Sequence, residues 1–349
     1  MATDERELTH PVDLCLADGR LNPDATGWSR IPLHTGNLPR GLRGAAGWWG
    51  RNKRWDYWAI LAGDLVVSFV YADIDYLGLA DVWWVDLATG QSGGAAVNRP
   101  GSAGISLPDL PGSAPLRVAD RRLHLEIVDD DAGTHFEAHW VERDGTFGRI
   151  QATVALPPGH ESLNVVIPWS ERRYQYTSKH QARPAHGELV VAGRRTVFGS
   201  TLGDAWGVLD VGRGRWPYRT RWNWGGGAGP ATTGEIIGLQ LGGKWTVGTG
   251  ATENAVIVNG HLTKVGVELD WRYDWGRPLA PWTVTAPDGS LELELRPAHD
   301  KYTKVEAGVL GTETHQVFGR WRGRFTDDAG RTFTFDDLQG FAEESRSRW

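Results

Sequence analysis

Apolar side chains in this chain recur with period two in one short run after another, and no helix-length stretch shows the three-to-four spacing of an amphipathic helix. In Leu123–Val128 the apolar set is Leu123, Leu125 and Ile127; in His135–Val141 it is Phe136, Ala138 and Trp140; Leu291, Leu293 and Leu295 alternate with Glu292 and Glu294. Successive strand residues take opposite faces, so each run offers one face to a core. Many short strands punctuated by turns, arriving in two successive sets, predict an all-β chain of two antiparallel barrels or barrel-like sandwiches. At 349 residues the chain exceeds what one core usually organises. The expected domains are 1–185, which includes an irregular Gly- and Pro-rich arm over 1–50 ending in Gly47-Trp48-Trp49-Gly50, and 186–349. HQARPAH at 180–186 reads as the segment that crosses between them, 91–115 as a long loop, and Lys264–Tyr273 as a strand.

Charge and cysteine content narrow the function. The net charge is -6 without a basic run, which lacks the footprint that nucleic acid or an anionic membrane requires. One cysteine, Cys15, excludes an intramolecular disulfide and a thiolate metal cluster. No apolar run approaches the ~18 residues of a membrane span, and the charged start MATDERELTHPVDL has no apolar core of a secretory signal, so a cytoplasmic location is expected. Oligomeric state is not legible. The 19 tryptophans are the unusual feature. An indole joins a large apolar surface to a single N–H donor, so most of them are expected to fill cores and a minority to line a pocket.

Candidate chemistry begins at Arg54–Tyr76, RWDYWAILAGDLVVSFVYADIDY, where two strands flank the turn Ala62-Gly63-Asp64. Both faces of the second strand are largely apolar. Val67, Phe69, Tyr71, Asp73 and Asp75 share one of them, with Asp73 and Asp75 about 7 Å apart along the backbone. Paired acids in an apolar setting raise at least one pKa, which keeps a carboxylic acid protonated for general-acid work; the alternative is that both acids cap a turn or pair with arginine. Glu253 in Thr252-Glu253-Asn254, beside an apolar strand, is a second candidate acid, with Asn254 as an orienting amide. His315 shares parity with Val317, Trp321 and Phe325 and so points to the apolar side, where an imidazole holds or relays a proton near neutral pH. Trp222 and Trp224 share a strand face just before Gly225-Gly226-Gly227, where a ligand can approach the backbone. Trp58, Trp84 and Tyr76 complete the expected ligand wall. The alternation His135, Glu137, His139 reads as an exposed strand face rather than a metal site, and the Gly-rich run lacks the Lys-Ser/Thr of a phosphate loop.

The motifs NKRWDYW at 52–58, ADIDYLG at 72–78, WNWGGGAG at 222–229, IGLQLGG at 237–243, TEN at 252–254, HQVFGRWRG at 315–323 and GFAEE at 340–344 occur together and in order. The sequence resembles the bacterial family catalogued as domain of unknown function 2804, from about residue 20 to the C-terminus. That family is distantly similar to two-domain lipocalin-like proteins that include carotenoid 1,2-hydratase and tocopherol cyclase, which protonate an alkene in an apolar cavity without a cofactor. The resemblance implies two lipocalin-like barrels and a cofactor-independent hydratase, cyclase or isomerase acting on a terpenoid, polyketide or lipid-like molecule. Asp75, Asp73, Glu253 and His315 are then the candidate acids and bases. A carrier or sensor of the same apolar ligand, and a carbohydrate-binding or glycoside-hydrolysing protein, are the competing functions.

Overall fold

A computed structural model describes residues 3–39, 50–113, 115–201 and 204–349. The Trp48-Trp49 end of the expected arm lies outside the described residues. Apart from a short 3-10 turn at Pro23–Ala25, the regular structure described is β. Two antiparallel sheets, each curled into a half-barrel, carry the chain as two lipocalin-like units.

In the first sheet the order runs Ser92–Pro100, Leu77–Asp86, Leu65–Asp73, Asn52–Ala62, Trp206–Arg215, Arg173–Val191, Phe147–Ala155, Gly133–Val141, Leu123–Asp130 and Leu116–Ala119. The concave face holds a core of Trp58, Ile60, Val67, Phe69, Leu125, Ile127, Phe136, Ile150, Val154 and Leu209. The second sheet runs His261–Lys264, Ala255–Val258, Ile236–Gly243, Arg219–Pro230, Thr332–Arg348, Leu310–Thr326, Leu291–Ala307, Trp282–Thr285 and Asp270–Arg272. Its core gathers Leu239, Leu241, Trp282, Leu293, Trp321, Phe325 and Phe335.

The two sheets are packed together. Tyr57, Ala59, Leu61, Val66 and Val208 from the first form one buried cluster with Trp224, Phe318 and Phe341 from the second. Strand Asn52–Ala62 is therefore covered on both faces, Trp58 and Ile60 inward and Tyr57, Ala59 and Leu61 against the other sheet. This explains why its sequence shows little alternation.

Four expectations change. The chain passes between sheets at 216–218, because Trp206–Arg215 inserts between Asn52–Ala62 and Arg173–Val191 in the first sheet. HQARPAH does not cross between domains: it is the bulge of the long strand Arg173–Val191, whose register shifts between His180 and Arg183 while Ala182 takes φ 58°. The expected loop 91–115 begins with the edge strand Ser92–Pro100, whose small residues hide their alternation. Lys264–Tyr273 is interrupted after Lys264, where the Val265 N–H turns to the Asn254 carbonyl, and pairing resumes only at Asp270.

Candidate active site

Strand register builds the site as two facing rows. On the first sheet Tyr57 lies opposite Asp210, and Asp210 opposite Lys179. On the second sheet Trp224 lies opposite Glu343, and Glu343 opposite Gln316. The rows meet where the sheets pack. The Tyr57 ring stands edge-on to Trp224 at 5.3 Å, its hydroxyl donates to Gln316 Oε1 at 3.3 Å, and Lys179 Nζ lies 4.3 Å from the Trp224 ring centroid. Between them is a cavity of about 170 Å³, walled by Trp55, Trp216, Trp222, Trp224 and Trp245 and completed by Tyr57, Val70, Thr177, Lys179, Asp210, Glu253 and Glu343.

Two glycines make this wall possible. A Cβ on Gly212 would stand 2.2 Å from the Trp55 ring, and one on Gly242 would stand 2.6 Å from Glu253 Oε2. Both are places where only a bare backbone admits the neighbouring side chain.

Each carboxylate in the cavity accepts an indole N–H. Trp55 Nε1 donates to Asp210 Oδ2 at 3.1 Å, Trp245 Nε1 to Glu253 Oε2 at 3.0 Å, and Trp222 Nε1 to Glu343 Oε1 at 2.7 Å. Lys179 Nζ pairs with Asp210 Oδ1 at 2.9 Å and Glu253 Oε1 at 3.1 Å. Burial works against its charge, but the Asp210 and Glu253 carboxylates outweigh that and raise its pKa, so Lys179 is an ammonium. Burial pushes Glu253 up to about 7 against the pull of Lys179. Burial likewise pushes Glu343 up to about 7, against the Trp222 hydrogen bond and the more distant Lys179. Among the described residues no basic group forms an ion pair with Glu343. A buried carboxylate without a contacting cation favours its neutral form, so Glu343 is the group best placed to keep a proton at neutral pH.

The residues singled out from the sequence divide between this cavity and other places. Glu253, Trp222 and Trp224 line it. Asn254 is buried next to Glu253 but serves the backbone: its Oδ1 accepts from Gly242 N at 2.6 Å and its Nδ2 donates to the Val267 carbonyl at 3.0 Å. Asp73 ends a strand and Asp75 lies in the turn that follows. Strand Leu65–Asp73 ends before Asp75, which takes φ 70°, so the two do not share a strand face. Asp75 Oδ2 accepts the N–H groups of Gly50 and Asn52 at 2.8 and 3.0 Å; Asp73 accepts from Ser102 Oγ and Asp75 N and pairs with Arg54 at 3.5 Å. Tyr76 lies beside the same turn, 4.4 Å from Lys53 Nζ. Trp58 is buried in the first core, edge-on to Phe136 at 5.1 Å, and Trp84 donates to Glu142 Oε1 at 2.9 Å. His315 is half-buried on the second sheet, where Nδ1 meets Asp300 Oδ2 at 2.7 Å between the rings of Trp275 and Tyr302.

Sequence reasoning missed Lys179, Asp210, Glu343, Tyr57 and three of the five indoles. Glu343 carried a usable signal. In GFAEES, adjacent glutamates on a strand must face opposite ways, so one of them points inward whatever the register. Lys179 is the lone lysine in a strand segment that is buried on both faces from Tyr174 to Arg183, but nothing in the sequence announces that coverage.

The chain is built of two curled antiparallel half-barrels with an acid–base and indole cluster between them. The chain belongs to the family described as domain of unknown function DUF2804, whose model matches residues 5–349. No match was found among curated proteins. Among solved structures it is similar to kievitone hydratase from Nectria haematococca, at 11% identity and a TM-score of 0.49, over 89% of this chain and 93% of that one. It is also similar to CghA, at 11% identity and a TM-score of 0.45, over 97% of each chain. No helix among the described residues is long and apolar enough to cross a membrane.

Proposed function

We propose that the chain is an enzyme that protonates an apolar small molecule in the cavity between its barrels and so catalyses hydration, cyclisation or isomerisation. The observation that carries this reading is Glu343, a buried carboxylic acid facing an indole-walled space without a contacting cation. Its Oε–H transfers a proton to one carbon of an alkene. The π pair becomes the new C–H bond, and the neighbouring carbon is left as a cation that the ring faces stabilise. The cation is discharged in one of two ways, either directly or after a second π bond has closed a ring and moved the charge to a new carbon: water adds and gives up a proton, or an adjacent C–H is deprotonated. Glu253, held beside the Lys179 ammonium and therefore the more readily ionised of the two glutamates, accepts the proton. Tyr57, its hydroxyl anchored on Gln316, and Thr177, which donates to Asp210 Oδ1 at 3.2 Å, fix the polar end of the space.

Cavity size bounds the substrate. About 170 Å³ is well below the ~300–1,000 Å³ of sites for drug-sized ligands, so it accepts a small molecule or one ring or branch of a larger one. Asp75, engaged by backbone N–H groups in its turn, is not part of this mechanism.

The test is incubation of the full chain with isoprenoid alcohols and styrenes in deuterated water, read by mass spectrometry for deuterium uptake and water addition. Wild type is expected to label or hydrate at least one alkene and Glu343→Gln to be inactive. Equal labelling by the two removes Glu343 as the acid.

A further inference from the structure

The same cavity has the elements of a receptor for a permanent cation. Five indoles surround it. Trp216 stacks on Trp245 at 5.3 Å and 7°, and meets Trp222 edge-on at 5.5 Å, so the rings form a continuous box rather than scattered contacts. Box and acids are coupled, because the N–H edges of Trp55, Trp222 and Trp245 point to carboxylates. The chain already supplies one example of a cation on this wall, the Lys179 ammonium over Trp224. That ammonium is taken by Asp210 and Glu253, two carboxylates for one positive charge, and Glu343 is a third without a contacting base. The local balance is negative inside an aromatic enclosure, and Lys301 is the additional positive charge acting on Glu343 from further away.

We infer that the cavity binds a small alkylammonium ion, its charged head lodged among Trp216, Trp222, Trp224 and Trp245 with Glu343, which gives up its proton to solvent on binding, as counter-ion. Ring quadrupoles attract a cation held within about 6 Å of a centroid, and Trp does so best. An alkylated head suits the indole faces because it presents a polarised apolar surface to them. The volume admits a head of trimethylammonium size and excludes a bulky one. This binding does not depend on the protonation chemistry proposed above, although a transient carbocation and an ammonium ion ask the same of the walls.

Calorimetric and tryptophan-fluorescence titration of the full chain with tetramethylammonium, choline and neohexyl alcohol tests it, the last being choline with a quaternary carbon in place of nitrogen. Choline is expected to bind about tenfold or more tightly than neohexyl alcohol. Glu343→Gln, nearly isosteric, is expected to shrink that preference to about threefold or less, and Trp222→Leu to weaken choline binding without weakening the alcohol. Equal affinity for choline and the alcohol in wild type, or the absence of binding by either ammonium at millimolar concentration, overturns the inference, and neither result requires a variant to fold. Ammonium binding without deuterium uptake would sink the proposed reaction and leave the receptor standing; deuterium uptake without ammonium binding would do the reverse.

Discussion

Glu343 and Glu344 are identical side chains one peptide apart on the strand Thr332–Arg348, turned to opposite faces of the second sheet. Glu343 faces the cavity, touches an indole N–H and is pushed up to about 7 by burial. Glu344 faces a cluster of cations. Burial acts on it in the same direction, but hydrogen bonds from Arg221, Tyr273, Arg346 and Lys244 outweigh burial and hold it at about 2. Arg346 Nε lies at 2.7 Å and Lys244 Nζ at 3.1 Å from its carboxylate, and Arg221 Nε and the Tyr273 hydroxyl also bond to it. Depth alone thus does not set the protonation state of a carboxylate in this fold. What sets it is whether the sheet face brings cations or rings. One face makes a fixed anion that holds strands together, the other an acid that takes and gives its proton near neutral pH.

The sharpest break of that comparison is Glu343→Gln. It is expected to reduce turnover by about 10²–10⁴-fold, the usual contribution of a general acid, while the melting temperature at pH 6 stays unchanged, since glutamine mimics the neutral acid. Glu344→Gln is expected to do the opposite. It leaves three cations facing a neutral amide and costs on the order of 3 kcal/mol by denaturant titration, at the low end for a broken buried pair because the arginines are half-exposed. Turnover per folded molecule should persist.

Stability against pH separates the two groups by sign. Glu253 and Glu343 have folded values raised from 4.5 to about 7, so the stability they contribute is complete below about 4.5 and is lost as pH rises through 7. Wild type is expected to lose on the order of 2 kcal/mol per group between pH 5 and 8, and Glu343→Gln to lose about half as much. Glu344, depressed to about 2, contributes stability that is present above 4.5 and is lost as pH falls toward 2. Glu344→Gln should therefore flatten the acid limb alone. The smallest effect is expected at Asp75→Asn: about 1 kcal/mol of stability from weakened turn hydrogen bonds, with turnover unchanged.

The sequence carried the architecture further than it carried the site. Period-two runs such as Leu291–Leu295 announce half-buried strands, and strand formation followed there because one face of each has a core to enter. Strand Leu65–Asp73 was legible as doubly covered: Val67, Phe69 and Tyr71 enter the first core, and Val66 joins the cluster between the sheets. Asp73 and Asp75 misled because parity was counted past the strand end, where a left-handed residue breaks it. Asp210 and Lys179 were invisible for another reason. Their meeting depends on the register of Trp206–Arg215 between two partners distant in sequence, which no local pattern encodes.

The facing rows also have a kinetic consequence. Tyr57 and Gln316, which meet across the cavity, are separated by 259 positions along the chain. Contacts of such separation must be preceded by costly loop closure and form late in folding. The enclosure of Trp222, Trp224 and Trp245 should accordingly be among the last events of refolding. A late change in indole emission then marks the moment when the two half-barrels dock, after each has gathered its own core. Until that moment Glu343 remains an ordinary solvated carboxylate, and the acid comes into being only with the assembled molecule.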